Sequence, residues 1–168
     1  MHERLAIIDY DGVIAGNEKR MEMARTTPTG AIDWKVAFDP DLVVHDVLIA
    51  QADEHIERLR EEGFTVLVLT SRPESMREAS QAWFIEHGVV FEQRFLIMKP
   101  PCAQYIKTLA WKTSVIDLLA HLFEAEVVLY VDDDEKNMAE VIKHLSNQRY
   151  RLVTYTSLAD VFKNTWEE

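Results

Sequence analysis

Apolar and polar positions along the chain follow two alternating periods. Residues 5–9 are apolar up to a closing aspartate, and residues 64–70 (FTVLVLT) are apolar and β-branched almost throughout. Residues 94–98 (RFLIM), 127–131 and 150–155 (YRLVTY) are further short apolar runs. Runs of this length read as strands, and the continuous ones as strands buried on both faces. Between them the period lengthens to that of a helix. One helix is expected over 41–62, with Asp39 as its cap, Pro40 in the first turn and Gly63 just past the end. Met76, Ala79, Trp83 and Phe84 recur at helical spacing before Gly88, which offers a stop. Pro100 and Pro101 break any regular element. A helix over 111–123 would bury a stripe of Val115, Leu118, Leu119 and Leu122. Two more helices are expected over 137–145 and 158–164.

Strands alternating with helices imply right-handed β-α-β units, and so an α/β fold: a mainly parallel five-stranded sheet between two helical layers. At 168 residues this is one domain, 1–168, with no repeat or linker to divide it. In such sheets ligands bind beyond the carboxyl ends of the strands, where strand order reverses. What the chain places at those ends is therefore the functional question.

The first strand ends in Asp9-Tyr10-Asp11-Gly12, the second in Thr70-Ser71-Arg72 and the fourth in Asp132-Asp133-Asp134. Five carboxylates and a hydroxyl thus meet at one sheet edge, with an arginine close by. Gathering that many negative charges in a partly dry cleft costs several kcal/mol without a cation. Mg²⁺ answers the need, since it prefers oxygen ligands and is often shared with a phosphate. Asp9 and Asp11 lie two apart, so on an extended backbone they project the same way while Tyr10 points elsewhere. One can attack a phosphorus atom while the other handles a proton. Gly12 permits the turn that follows. Asp134 reads as the cap of the next helix.

Composition narrows the classes. Hydrophobic residues at 48% and charged residues at 28% are a globular balance and exclude a disordered chain. The formal net charge of −11 argues against broad attraction to nucleic acid. A single cysteine, Cys102, rules out an internal disulfide. With no leader-like opening and no membrane-length apolar run, a soluble, cytoplasmic setting is expected. The histidines show no ligand spacing.

These residues resemble the haloacid dehalogenase (HAD) superfamily of phosphohydrolases, over nearly the whole chain. Its first motif, Asp-x-Asp-Gly-[Thr/Val], is matched by DYDGV, and its second, a Ser or Thr ending the next strand, by Thr70. Its third, a lysine before the fourth strand, is matched by Lys112 in LAWKTSVIDLL, which opens that helix, and its fourth, an acidic pair, by VLYVDDDEKN. The resemblance implies a Rossmann-like three-layer HAD fold. It makes Asp9 the nucleophile and a metal ligand, and Asp11 the general acid and then base, with its main-chain carbonyl on Mg²⁺. Thr70 and Lys112 would bind phosphoryl oxygens, Lys112 also holding Asp9, while Asp132 and Asp133 complete the metal site. Residues 13–39 are long enough only for a flap and 100–110 only for a loop, so no large cap domain is expected.

Within the superfamily the chain is most similar to the phosphatase domain of polynucleotide kinase-phosphatases. Thr70-Ser71-Arg72 stands for that group's Ser-Gly-Arg, and IDWKVAFDPDLVVHDV and the Trp-Lys pair at 111–112 are similar too. That implies a phosphorylated substrate, a nucleic-acid 3′-phosphate or a nucleotide, with Arg72, Ser71 and Gly12 as substrate contacts and a kinase or ligase as candidate partner. The departures are Ser71 for Gly, Val13 for Thr, and the absence of a kinase P-loop. Two other classes compete. One is a non-catalytic phosphate-binding or interaction module on the same fold. The other is a phosphoacceptor receiver domain, which needs its aspartate at the end of strand three, where this chain has LIMKP. Trp34, Trp83 and Trp111 read as packing rather than base-stacking residues, with Trp34, on the flap, the one to test.

Overall fold

The structure is a computed structural model describing residues 3–26, 30–90, 92–146 and 148–163. The first strand, β1 (Glu3–Ile8), is followed by a short strand β2 (Ala15–Gly16) and the helices α1 (Glu18–Met23) and α2 (Trp34–Ala37). Then come β3 (Val47–Leu48), α3 (Ala52–Glu61), β4 (Phe64–Pro73), α4 (Arg77–Glu86) and β5 (Leu96–Lys99). The chain continues through α5 (Thr108–Leu122), β6 (Ala125–Val131), α6 (Glu135–Leu145), β7 (Arg151–Tyr155) and α7 (Leu158–Lys163).

Five strands form one sheet in the order β5-β4-β1-β6-β7, every neighbouring pair parallel. The chain builds outward from β1 to β5, then crosses back to β6 and builds outward the other way. Strand order therefore reverses at the carboxyl end of β1, between β4 and β6, where a crevice opens. The alternation of side chains along β1 explains the two cores. Ala6 and Ile8 join Ile56 and Leu59 of α3, Trp83 and Phe84 of α4, and Val161 of α7. Leu5 and Ile7 face the other way, onto Ile116 and Leu119 of α5 and Val141 of α6. Helices thus cover both faces, as the strand and helix periods predict, and no inserted domain interrupts the described residues.

The helix expected over 41–62 is three elements instead. Asp39 caps a 3₁₀ turn, Pro40–His45, by accepting from the Asp41 N–H at 3.0 Å. Val47–Leu48 then pairs antiparallel with Ala15–Gly16, and Gln51, at φ 62°, starts α3. Tertiary demand overrides the local pattern here, because Asp46 at the break is needed by two buried arginines. Shorter corrections apply elsewhere. Arg94 and Phe95 lie in a 3₁₀ turn before β5, α5 begins at Thr108 so that Lys112 lies in its second turn, and β6 begins at Ala125. On α5 the buried face is Trp111, Lys112, Ile116, Leu119 and Ala120; Leu118 and Leu122 of the expected stripe are exposed. The last helix ends its described part at Lys163, and Asn164, its expected end, lies outside the described residues. Residues 27–29 of the flap also lie outside them. No helix among the described residues is long and apolar enough to cross a membrane.

Candidate active site

β1 and β6 run in register, with Ile8 opposite Val131, and the Asp9 N–H donates to the Val131 carbonyl at 2.8 Å. The sheet's own ladder therefore carries Asp9 and Asp132 out side by side. Lys112 reaches both from α5, its Nζ 2.7 Å from Asp9 Oδ2 and 2.8 Å from Asp132 Oδ2, while only 2% exposed. The other Asp9 oxygen accepts from the Tyr10 N–H at 2.8 Å. Asp132 is held in turn by the Tyr130 hydroxyl and by the Asp134 N–H. Asp133 completes the group: Asp9, Asp132 and Asp133 each offer a carboxylate oxygen, all within 4.8 Å of one another.

The charges of this group do not balance. Three carboxylates face one ammonium, leaving two negative charges for a divalent cation to balance. The titration directions agree. Burial pushes the Asp9 carboxyl up to about 7, with Lys112 opposing and Asp132 adding to the rise. Burial and Asp132 also raise Asp133. For Asp132 burial is outweighed by Lys112, the Tyr130 hydroxyl and the Asp134 amide, which hold it below the usual carboxylate range. Burial works against the charge on Lys112, but Asp9 and Asp132 prevail and keep its ammonium charged. Three oxygens of this hard type fit Mg²⁺.

Asp11 belongs to a different cluster. Its carboxylate accepts from Asn17 Nδ2 at 2.9 Å, from Arg20 Nη2 at 2.6 Å, and from Arg72 Nη2 and Nε at 2.7 and 2.9 Å. The same arginines hold Asp46, through Arg20 Nε at 2.9 Å and Arg72 Nη2 at 2.5 Å. Two arginines against two aspartates make this network neutral, in contrast to its neighbour. Burial alone would raise the Asp11 carboxyl, but Arg72, Arg20 and Asn17 outweigh it and hold it below the usual range. The Asp11 side chain is thus no part of the metal-competent group, and only its main-chain carbonyl is left for that role.

Arg72 lies deep in the same network. Its guanidinium is 0% exposed, divided among Asp11, Asp46 and the Ser80 hydroxyl, and stacked 3.7 Å from the centroid of the Tyr10 ring. Its bonds to Asp11 fix the position of that carboxylate. Thr70, buried beside it, accepts from the Arg72 N–H at 3.2 Å and keeps its hydroxyl proton to give. Ser71 Oγ is buried without a hydrogen-bond partner among the described residues. Asp134 caps α6 as expected, accepting from the N–H groups of Lys136 and Asn137.

Sequence reasoning passed over Arg20 and Asp46. Neither carries a local signal, since one is a lone basic residue in the flap and the other lay inside an expected helix. Their charged partners are 9 to 26 residues away along the chain.

Gly12 is required for two reasons, of which the sequence showed one. Its φ of 81° is a left-handed conformation, and a Cβ there would lie 2.1 Å from Asp133 Oδ2. The missing side chain is the space that Asp133 occupies, so Gly12 makes room for the acidic group. Gly63 shares the backbone, at φ 84°, with nothing within 4 Å of a built Cβ. Both Gly12→Ala and Gly63→Ala should lose about 1–2 kcal/mol to the positive φ. Only Gly12→Ala should also displace Asp133. Thermal melting of both variants, with Mg²⁺ binding by calorimetry, separates the two effects, and equal Mg²⁺ affinities would show that Gly12 makes no room for Asp133.

No family model and no curated protein sequence matches the chain. Solved structures do. A chain of the Pnkp1/Rnl/Hen1 complex aligns over 92% of this chain at 16% identity and a TM-score of 0.62. The present chain spans 46% of that one, and 43% of its counterpart in a second structure, described as an RNA repair complex. The HAD domain of effector protein Lem4 from Legionella pneumophila aligns over 96% of this chain and 92% of its own, at 14% identity and a TM-score of 0.57. The class C acid phosphatase from Bacillus anthracis aligns over 99% and 75%, at 10% identity and a TM-score of 0.61. The chain has the fold of the HAD hydrolases, without a cap domain among the described residues.

Proposed function

We propose that this chain is a Mg²⁺-dependent phosphomonoester hydrolase that works through an aspartyl phosphate on Asp9. The observation that carries the reading is the charge-deficient group of Asp9, Asp132 and Asp133 around Lys112. It lies at the reversal point of a HAD-type sheet. Two negative charges in excess, beside a buried ammonium, suit a divalent cation and the phosphoryl group it accompanies.

Phosphoryl transfer depends mainly on positioning and on neutralising oxygens. Asp9 attacks the phosphorus, the bond to the leaving oxygen breaks, and that oxygen takes the proton carried by Asp11. Water then attacks the phosphorus and passes a proton to Asp11, the bond to Asp9 breaks, and phosphate leaves. Lys112 and the Thr70 hydroxyl donate to the phosphoryl oxygens, Lys112 also orienting Asp9. Mg²⁺, held by Asp9, Asp132, Asp133 and the Asp11 carbonyl, would neutralise charge on those oxygens. The arginines hold Asp11 ionised, the form the second half needs, so for the first half it must leave Arg20 and Arg72, take up a proton from solvent and turn towards the leaving oxygen. Likeness to a chain of an RNA repair complex favours a nucleic-acid 3′-phosphate or a nucleotide as substrate, with repair enzymes such as a kinase or ligase as partners.

A receiver domain is disfavoured by topology. In that fold the third strand lies next to the first, whereas here β4 separates β5 from β1.

Phosphate release from phosphomonoesters should require Mg²⁺ and stop on chelation. Asp133→Asn should weaken Mg²⁺ by more than the roughly 10–100-fold that loss of outer-shell partners costs, read by Mg²⁺ titration of activity and by calorimetry. Turnover undiminished in a chelator would sink the reading.

A further inference from the structure

We infer that the cavity beside the reacting carboxylates is a binding site for the nucleobase of the leaving group, an inference that rests on the phosphatase reading above. The cavity holds about 570 Å³, inside the range of about 300–1,000 Å³ typical of small-molecule sites. Its place follows from two of its lining residues, Ser71 and Thr108. Ser71 follows Thr70, and Thr108 opens the helix that carries Lys112 one turn on. The cavity therefore begins one residue from Thr70 and one helical turn from Lys112.

Its apolar lining is flat-faced. Trp34 and Phe38 come from the flap, and Pro73, Pro100 and Pro101 from the ends of β4 and β5. The Trp34 and Phe38 rings are already stacked, with centroids 5.3 Å apart and planes 29° apart. Trp34 is 57% exposed, whereas Trp83 and Trp111 are 2% and 7% exposed. An indole propped out in water by a neighbouring ring is a prepared surface for a third ring.

The polar lining selects among flat ligands. Gln104 and Thr108 give the cavity polar lining. An alkyl chain would leave these groups unanswered, and a bare sugar would leave the rings unanswered. The ring of an unsubstituted phenyl phosphate has only its ester oxygen as polar atom, and that oxygen must lie at Asp9. A nucleobase has both a π-face and an edge of donors and acceptors. Of the two charged lining residues, Glu74 is paired with Arg77, and Lys99 donates to the Ile106 carbonyl at 2.6 Å.

The test uses wild type, Trp34→Ala and Trp34→Phe, with Mg²⁺. The substrates are adenosine 3′-monophosphate, 2-glycerophosphate and a 3′-phosphorylated oligonucleotide, and adenosine alone is titrated by tryptophan fluorescence. Wild type should favour the nucleotide over glycerophosphate in kcat/KM. Trp34→Ala should cut that preference by roughly five- to hundredfold, the worth of one base–aromatic stack, and Trp34→Phe should keep most of it. Adenosine should quench wild type saturably and Trp34→Ala far less. A higher kcat/KM for the oligonucleotide assigns the base to a nucleic-acid end, and a higher one for the mononucleotide to a free nucleotide. A preference untouched by Trp34→Ala, or equal values for all three substrates, overturns the site. If no substrate releases phosphate, the phosphatase reading fails and adenosine alone decides: a quench lost in Trp34→Ala upholds the base site, and no quench overturns it.

Discussion

Asp9→Asn is expected to lower phosphate release by about 10⁴-fold or more, the scale on which loss of a catalytic nucleophile is felt, while leaving the protein folded and no less stable. The two halves come from the same geometry. Asparagine keeps an oxygen for the Tyr10 N–H, which Asp9 Oδ1 accepts at 2.8 Å. It cannot attack phosphorus. It also removes one of three carboxylates crowded around Lys112, a group with negative charge in excess. Without a cation that crowding is unfavourable, as the raised Asp9 carboxyl indicates. The melting temperature in a chelator should therefore hold or rise. An inactive variant that melted well below wild type would point to a structural role for Asp9.

The largest stability effect should come from the neutral network. Asp46→Asn leaves Arg20 and Arg72, 1% and 0% exposed, short of a counter-charge. Arg72→Met leaves Asp11 and Asp46 short of theirs. Breaking a buried pair by removing one partner costs about 3–5 kcal/mol, or about 6–20 °C in melting temperature for a chain of this size. Because Arg20 and Asp46 share one network, Arg20→Met with Asp46→Leu should lose less than the sum of the single changes. Urea and thermal unfolding measure this. Single changes that cost under about 1 kcal/mol, the usual limit for solvent-exposed ion pairs, would show that the network contributes little.

What the sequence makes legible is what a strand carries within itself. The apolar runs of β1, β4 and β6 announce buried strands, and Asp9, Thr70 and Asp132 announce what those strands deliver, because a parallel sheet brings their carboxyl ends to one edge. Lys112 is legible only as a place in the chain order. Its buried position between Asp9 and Asp132 follows from how α5 packs on the sheet. The hidden part is non-local. Arg72 meets Asp11 across 61 residues and Arg20 meets Asp46 across 26, and no periodic pattern ties such partners together. Their network also explains why residues 41–62 do not form one helix, since the chain must bend at Asp46 to present it. The cavity at Trp34 is hidden in the same way, assembled from a flap, a strand end and a loop.

The central claim is that Asp9 accepts the phosphoryl group, and beryllofluoride with Mg²⁺ tests it most directly, because the adduct copies an acyl phosphate on whichever carboxylate is the nucleophile. Electron density for the soaked protein should place the beryllium on an Asp9 oxygen, with Lys112 against its fluorines, and Asp9→Asn should bind none. Beryllium on another residue, or binding undiminished in Asp9→Asn, would contradict the account.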